Sequence, residues 1–271
     1  MTGGHWSLDE IPWERFDAAE VDPELVKIVK AASLVEYNGA DYATYLCNVF
    51  PDDPEFQAAA RSWAAEEVQH GEALARWSKL ADASFDFDGC FARFREGYKI
   101  SVAASDSIRG SRSGELVARC IVEVGTSSYY ASIGATTQEP VLREICRHIA
   151  ADELRHYKLF YSHLRRYLDR EGIGRWKRLA VALGRIGESE DDELAYAFYA
   201  ANENRDTPYD RKVYGRAYMK RAFVCYREPQ VQRAVAMIFK AAGLDPQSRL
   251  AGWSARAAFR FIRLRSRMLA A

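Results

Sequence analysis

Apolar and small residues recur at helical spacing in four long stretches of the chain. From Pro23 the stripe runs Leu25, Ile28, Ala32, Gly39, Ala43 and Leu46, which predicts one continuous helix. From Pro54 it runs Phe56, Ala60, Trp63, Leu74 and Trp77. A third helix, beginning near Ser113, carries Leu116, Cys120, Tyr130 and Gly134, and a fourth, from Pro140, carries Leu142, Cys146, Ile149, Phe160 and Leu164. Asp22, Asp53 and Glu139 each precede a proline, the arrangement of a capping acid before proline at the first helical position. Asp88-Gly89 is followed by Cys-Phe-Ala-Arg-Phe and reads as a helix start, not a hairpin turn. The fold class is therefore all-α.

Phe50-Pro-Asp-Asp53 joins the first two helices by a short turn, and Gln138-Glu139 joins the last two. Between the pairs lies a crossing segment, residues 80–112, with a helix expected near 89–103. Two helical hairpins linked by a long crossover form one of the four-helix bundle topologies. The expected organisation is an N-terminal arm over 1–22, the bundle over 23–170, and a C-terminal helical extension over 171–271. Helices are expected in that extension near 175–186, 190–203, 209–225, 229–242 and 247–268.

Every one of the four stripes carries polar intruders. Glu36 interrupts the first, Glu67 and His70 the second, Glu123 the third, and Glu153 and His156 the fourth. Glu67-Val-Gln-His70 and Glu153-Leu-Arg-His156 share the pattern Glu-x-x-His, whose ends lie on one helix face with roughly 4.5 Å of rise between them. A core glutamate precedes each motif by about 30 residues, so the two halves repeat one another. Burying unpaired carboxylates is costly. Two readings stand side by side: glutamates paired with satisfied core histidines, or ligands to two divalent cations, whose four positive charges balance four carboxylates. One Glu from each of two helices and Glu-x-x-His from each of the others is the donor set of di-iron and di-manganese bundles. Carboxylate and imidazole together suit iron or manganese. Glu66 and Asp152 directly precede the motif glutamates. They are placed to accept the second N–H of the opposite histidine, Glu66 from His156 and Asp152 from His70, or to face solvent as ordinary charges. His5, His148 and His163 lack such company and read as surface or packing residues.

Composition narrows the setting. Basic and acidic residues balance at 38 each, which argues against a nucleic-acid binder. No apolar run approaches the roughly 18 residues of a membrane span, so no integral membrane segment is expected. The N-terminus shows no secretion-signal pattern. Five cysteines without a Cys-x-x-Cys pair (47, 90, 120, 146 and 225) read as buried or free thiols of a reducing cytoplasm.

On these residues the chain resembles the ferritin-like superfamily of dinuclear carboxylate proteins over about residues 23–168. The motifs Ala65-Glu-Glu-Val-Gln-His-Gly71 and Asp152-Glu-Leu-Arg-His156 are similar to those of the soluble acyl-carrier-protein desaturases. Glu123-Val-Gly-Thr126 places a threonine where that group lines its oxygen pocket. The resemblance implies two iron ions, with a manganese–iron pair as the alternative. It also implies Thr126 as a proton or oxygen-pocket residue, against the alternative of a hydroxyl bonded back to its own helix. The chain departs from relatives in several ways. Its length is short of plant desaturases, Leu74 stands where a radical-generating ribonucleotide reductase subunit has tyrosine, and the cysteine module and extra glutamate of rubrerythrins are missing.

The function so implied is an oxygen-activating oxidoreductase, desaturase- or hydroxylase-like. It would use dioxygen, a hydrophobic organic substrate (a carrier-bound acyl chain being one form) and electrons from a separate donor such as a ferredoxin. A homodimer is among the assemblies such a protein forms. The alternatives are a ferroxidase or peroxidase of rubrerythrin or ferritin type, and a helical protein acting through partners. Beyond Gly172 the frequent aromatics read as packing against the bundle or as a substrate wall. The last helix sets Arg256, Arg260, Arg263 and Arg267 opposite Ala257, Phe261, Leu264 and Met268. That row reads as a solvated face, or as a dock for an acidic carrier, a phosphate-bearing substrate or an anionic membrane.

Overall fold

The computed structural model describes residues 6–188 and 192–270, and among these it is all-helical, without strands. The helices are α1 (Pro23–Tyr37), α2 (Gly39–Val49), α3 (Pro54–Ala81), α4 (Phe87–Gly97), α5 (Arg112–Thr136) and α6 (Pro140–Glu171). They continue as α7 (Arg175–Gly187), α8 (Asp192–Asn202), α9 (Arg211–Cys225), α10 (Glu228–Ala242) and α11 (Arg249–Ala270). Both α1 and α2 lie on α3, α5 lies along α6, and α3 meets α6. These segments enclose one interior.

Local chemistry sets the helix starts. The side chains of Asp22 and Asp53 accept backbone N–H bonds at the head of α1 and α3. Glu139 is fully buried at the head of α6, where its carboxylate accepts from the backbone of Val141 and Leu142, from the Trp77 indole at 2.7 Å, and from the backbone of Asp17. That one side chain ties three parts of the chain together.

The first stripe is not one helix. It breaks at Asn38, whose N–H returns to Val35. Gly39 follows because a Cβ there would stand 2.7 Å from Glu67 Cβ, so the chain approaches α3 at a spot where only glycine fits. The crossing helix also differs, spanning Phe87–Gly97 instead of 89–103. Asp86 caps its start, and from Tyr98 the backbone turns extended.

The C-terminal helices pack on the rest. α8 lies against α1 and α4, α9 against α1 and α5, and α7 and α10 against α5. Phe198, Tyr199, Tyr214 and Tyr218 join the same apolar core as α1, α3 and α5. In α11 the arginine row and the apolar row are both exposed, and Ala251 and Ala255 make the buried contact. Residues one apart lie about 100° apart, so the two rows are adjacent, not opposite.

The five cysteines form no disulfide, and Cys120, Cys146 and Cys225 are buried. His163 packs its ring edge on Phe56 and takes a bond from Arg166. His148 pairs with Glu144 beside Trp6. His5 lies outside the described residues.

Candidate metal centre

Glu36 on α1, Glu67 and His70 on α3, Glu123 on α5, and Glu153 and His156 on α6 all point into the common interior and are all buried. Their donor atoms fall into two overlapping groups. Glu36, Glu67, His70 and Glu153 form one, and Glu67, Glu123, Glu153 and His156 form the other. Within each group the atoms lie within 4.8 Å of one another, so each could hold a metal ion. Glu67 and Glu153 belong to both.

Close packing of α1 and α2 on α3 brings Glu36 within reach. A Cβ on Gly71 would stand 2.6 Å from the backbone nitrogen of Tyr37, so this glycine, like Gly39, lets the backbones touch.

The two imidazoles are oriented alike. His70 turns Nδ1 toward Glu153, Glu36 and Glu67, at 3.5, 3.8 and 3.9 Å, while its Nε2 lies 3.0 Å from Asp152 Oδ2. His156 turns Nδ1 toward Glu67 at 3.0 Å and Glu123 at 3.5 Å, while its Nε2 lies 3.1 Å from Glu66 Oε2. An ionised carboxylate only accepts, so Asp152 and Glu66 fix the proton on Nε2 and leave the Nδ1 lone pair facing the cluster.

Several buried atoms there have no hydrogen-bond partner among the described residues. They are Glu67 Oε1, His70 Nδ1, both Glu123 carboxylate oxygens, Glu153 Oε1 and His156 Nδ1. Buried polar atoms are normally satisfied. An inward-facing set of acceptors and imidazole nitrogens, orphaned together, fits divalent cations chemically.

The electrostatics agree. Burial, reinforced by the neighbouring Glu153 and Glu36 charges, pushes Glu67 well above the carboxylate range. Burial likewise lifts Glu153 to about 8, with Glu123 and Glu36 adding to it against the hydrogen bond from His70. Burial works against charge on His70 and His156, yet the surrounding carboxylates raise both. The cluster demands positive charge, which protons or metal ions can supply.

The supporting residues are more extensive than sequence spacing suggested. Arg155, inside the second Glu-x-x-His, holds Glu66 at 2.9 Å and also grips Asp152, joining the two carboxylates that orient the histidines. Trp6, from the N-terminal arm, donates its indole N–H to Asp152 Oδ2 at 2.8 Å and stacks near His70. Despite the upward push of burial, the bonds from His70, Trp6 and Arg155 hold Asp152 at about 2. Tyr130, which the sequence placed in the packing stripe of α5, donates to Glu36 at 2.5 Å. Arg155 could have been noticed from its place between two motif residues. Trp6 gave no periodic signal at all.

Thr126 has three acceptors for its single proton. The carbonyls of Val122 and Glu123 lie at 3.2 and 3.1 Å, and Glu153 Oε2 lies at 2.6 Å. The hydroxyl therefore serves both its own helix and a member of the cluster.

Beside the carboxylates lies a cavity of about 60 Å³, lined by Glu36, Glu67, Glu123, Thr126 and Glu153 on one side and by Tyr42, Trp63, Arg119, Arg185 and Glu193 among others on the rest. No helix among the described residues is long and apolar enough to cross a membrane. No protein-family model and no curated protein matches this chain.

Proposed function

We propose that the chain is a ferritin-like dinuclear carboxylate protein and an oxygen-activating oxidoreductase acting on an organic substrate. The observation that carries this reading is the pair of four-donor groups sharing Glu67 and Glu153, with their inward-facing atoms orphaned together. Glu36 and His70 would hold one iron and Glu123 and His156 the other. The two shared glutamates would touch both.

Iron held there would supply, with dioxygen and electrons from a separate donor, the oxidation of a C–H bond. The chain contributes the rest. Asp152 and Glu66 hold each imidazole in one tautomer, Arg155 clamps that pair, and Tyr130 and Thr126 steer the carboxylates of Glu36 and Glu153 through their hydroxyl protons. Burial keeps bulk water away from the cluster.

Anaerobic loading with Fe(II) followed by desalting tests the reading. It expects two irons per chain, a sharp loss in Glu153→Ala/His156→Ala, and reductant-dependent oxygen uptake by the loaded wild type. Retention of neither iron nor manganese would overturn it. Rapid Fe(II) oxidation over many turnovers, with no organic product, would replace the oxygenase by a ferroxidase.

A further inference from the structure

Arg119 is 7% exposed and projects into the cavity beside the carboxylate cluster. It sits four residues before Glu123 on α5, one turn and roughly 6 Å along the helix. Among the described residues its only ion-pair partner is Glu115, 3.8 Å from Nε, which is too long for a hydrogen bond. Its Nε has no hydrogen-bond partner, and the guanidinium lies against the Tyr42 ring at 5.1 Å.

Glu115, Glu123 and Glu193 all lie near enough for their charges to act on it, but among the described residues none of them closes a hydrogen bond to it. Glu115 accepts from Tyr45 and from Ser107, both at 2.8 Å, and Glu193 accepts from Tyr42 at 2.5 Å. A guanidinium carries five donors in a rigid fork whose natural complement is a carboxylate. Arg185, which pairs with Glu188 at 3.9 Å, lines the same cavity.

We infer that Arg119 is the anchor for a small organic carboxylate, the substrate class of the proposed oxidoreductase. This rests on the dinuclear reading above. The cavity of about 60 Å³ fixes the scale. An ordered water needs about 10–15 Å³ of such space, so the guest has about four to six non-hydrogen atoms. That is the scale of a short-chain acid. With its carboxylate on Arg119, such an acid directs its carbons along the cavity toward Glu123, one helical turn away, and the other carboxylates that line it. Tyr42 and Trp63 supply the surfaces that flank it.

The probe is butyrate, with butyramide as its uncharged counterpart and inorganic phosphate as a second anion. Each is titrated calorimetrically into the full chain loaded with Mn(II), and metal content is measured on the same samples. Wild type should bind butyrate with a Kd of about 1 mM or below and bind butyramide and phosphate at least tenfold more weakly. Arg119→Gln should lose at least tenfold in butyrate affinity at unchanged metal content. Arg119→Lys, which keeps the charge and loses the fork, should lose at least fivefold, and it carries the comparison if the glutamine variant does not fold.

Equal butyrate affinity in wild type and either variant would overturn the assignment, since the acid would then be binding the metal directly. Equal affinity for phosphate or butyramide would overturn it as well. Failure to retain Mn(II) or Fe(II) is a separate result that sinks the dinuclear reading. Butyrate titration of the metal-free chain and its Arg119 variants then judges the anchor by itself.

Discussion

Glu66 on α3 and Asp152 on α6 are joined through one guanidinium, that of Arg155, and each faces the Nε2 of a cluster histidine. The carboxylates that orient the two imidazoles thus share one side chain that touches neither imidazole in these contacts, with Trp6 as a further donor to Asp152. Partners that orient metal ligands typically change metal affinity 10–100-fold when removed.

Arg155→Met should thus weaken metal retention by about 10–100-fold while leaving the helices intact. Asp152→Asn should do the same for the His70 side, because an amide can present its NH₂ to Nε2 and permit the wrong tautomer. Competition with a chelator of known affinity reads both. Unchanged affinity in both would remove these residues from any role in holding the site.

The buried carboxylates oppose folding when no cation is present. Glu153, lifted to about 8 chiefly by burial, should be a source of instability in the metal-free chain. Glu153→Gln should raise the metal-free Tm by a few degrees, as about 1 kcal/mol shifts a chain of this size by roughly 2–4 °C. The same variant should lose the stabilisation that Mn(II) or Fe(II) confers on wild type, which reaches about 4 kcal/mol at a thousandfold excess over Kd. Scanning calorimetry with and without metal checks both halves.

Gly71→Ala places a Cβ 2.6 Å from the Tyr37 backbone nitrogen, where neither neighbour is the flexible end of a side chain. α1 must move off α3, and Glu36 moves with it. The expected cost is about 1–3 kcal/mol in denaturant unfolding, with weaker metal binding beside it. A variant as stable as wild type would mean that the two helices can slide apart without strain.

Away from the cluster, Lys30 is nearly buried and pairs with Asp82, just beyond α3. The Lys30 bond, with help from Ser84, holds Asp82 at about 2, below its usual 3.8. A carboxyl depressed in the folded state binds fewer protons folded than unfolded. Its contribution is whole above pH 3.8 and is lost as pH falls through about 2. Because Asp82 is a third exposed, the effect is discounted to about 1 kcal/mol. The stability difference between wild type and Asp82→Asn should be constant near neutrality and shrink below pH 4. A pH-independent difference would contradict the pairing.

Helix identity and the six-member cluster were legible in the chain alone. Helical spacing repeats every 3.6 residues, so an acid or imidazole set into an apolar stripe announces a buried face whatever the partners are. Glu36, Glu67, His70, Glu123, Glu153 and His156 were all found in that way. Glu66 and Asp152 were candidates from their places one residue before the motif glutamates, with solvent-facing charges as the alternative, and their contacts with His156 and His70 are seen only in the tertiary structure.

Tertiary structure decided what periodicity does not encode. The break at Asn38 follows from how closely Gly39 and Gly71 let backbones approach, and a stripe of small residues looks the same with or without a kink. Trp6 reaches Asp152 from 146 residues away. Arg155 spans two helices, and Arg119, among the described residues, meets Glu115 only at 3.8 Å from its Nε, beyond hydrogen-bond reach. Such relationships depend on the distance and direction between side chains on different elements. Local sequence sets which face each residue occupies, and packing sets what that face meets.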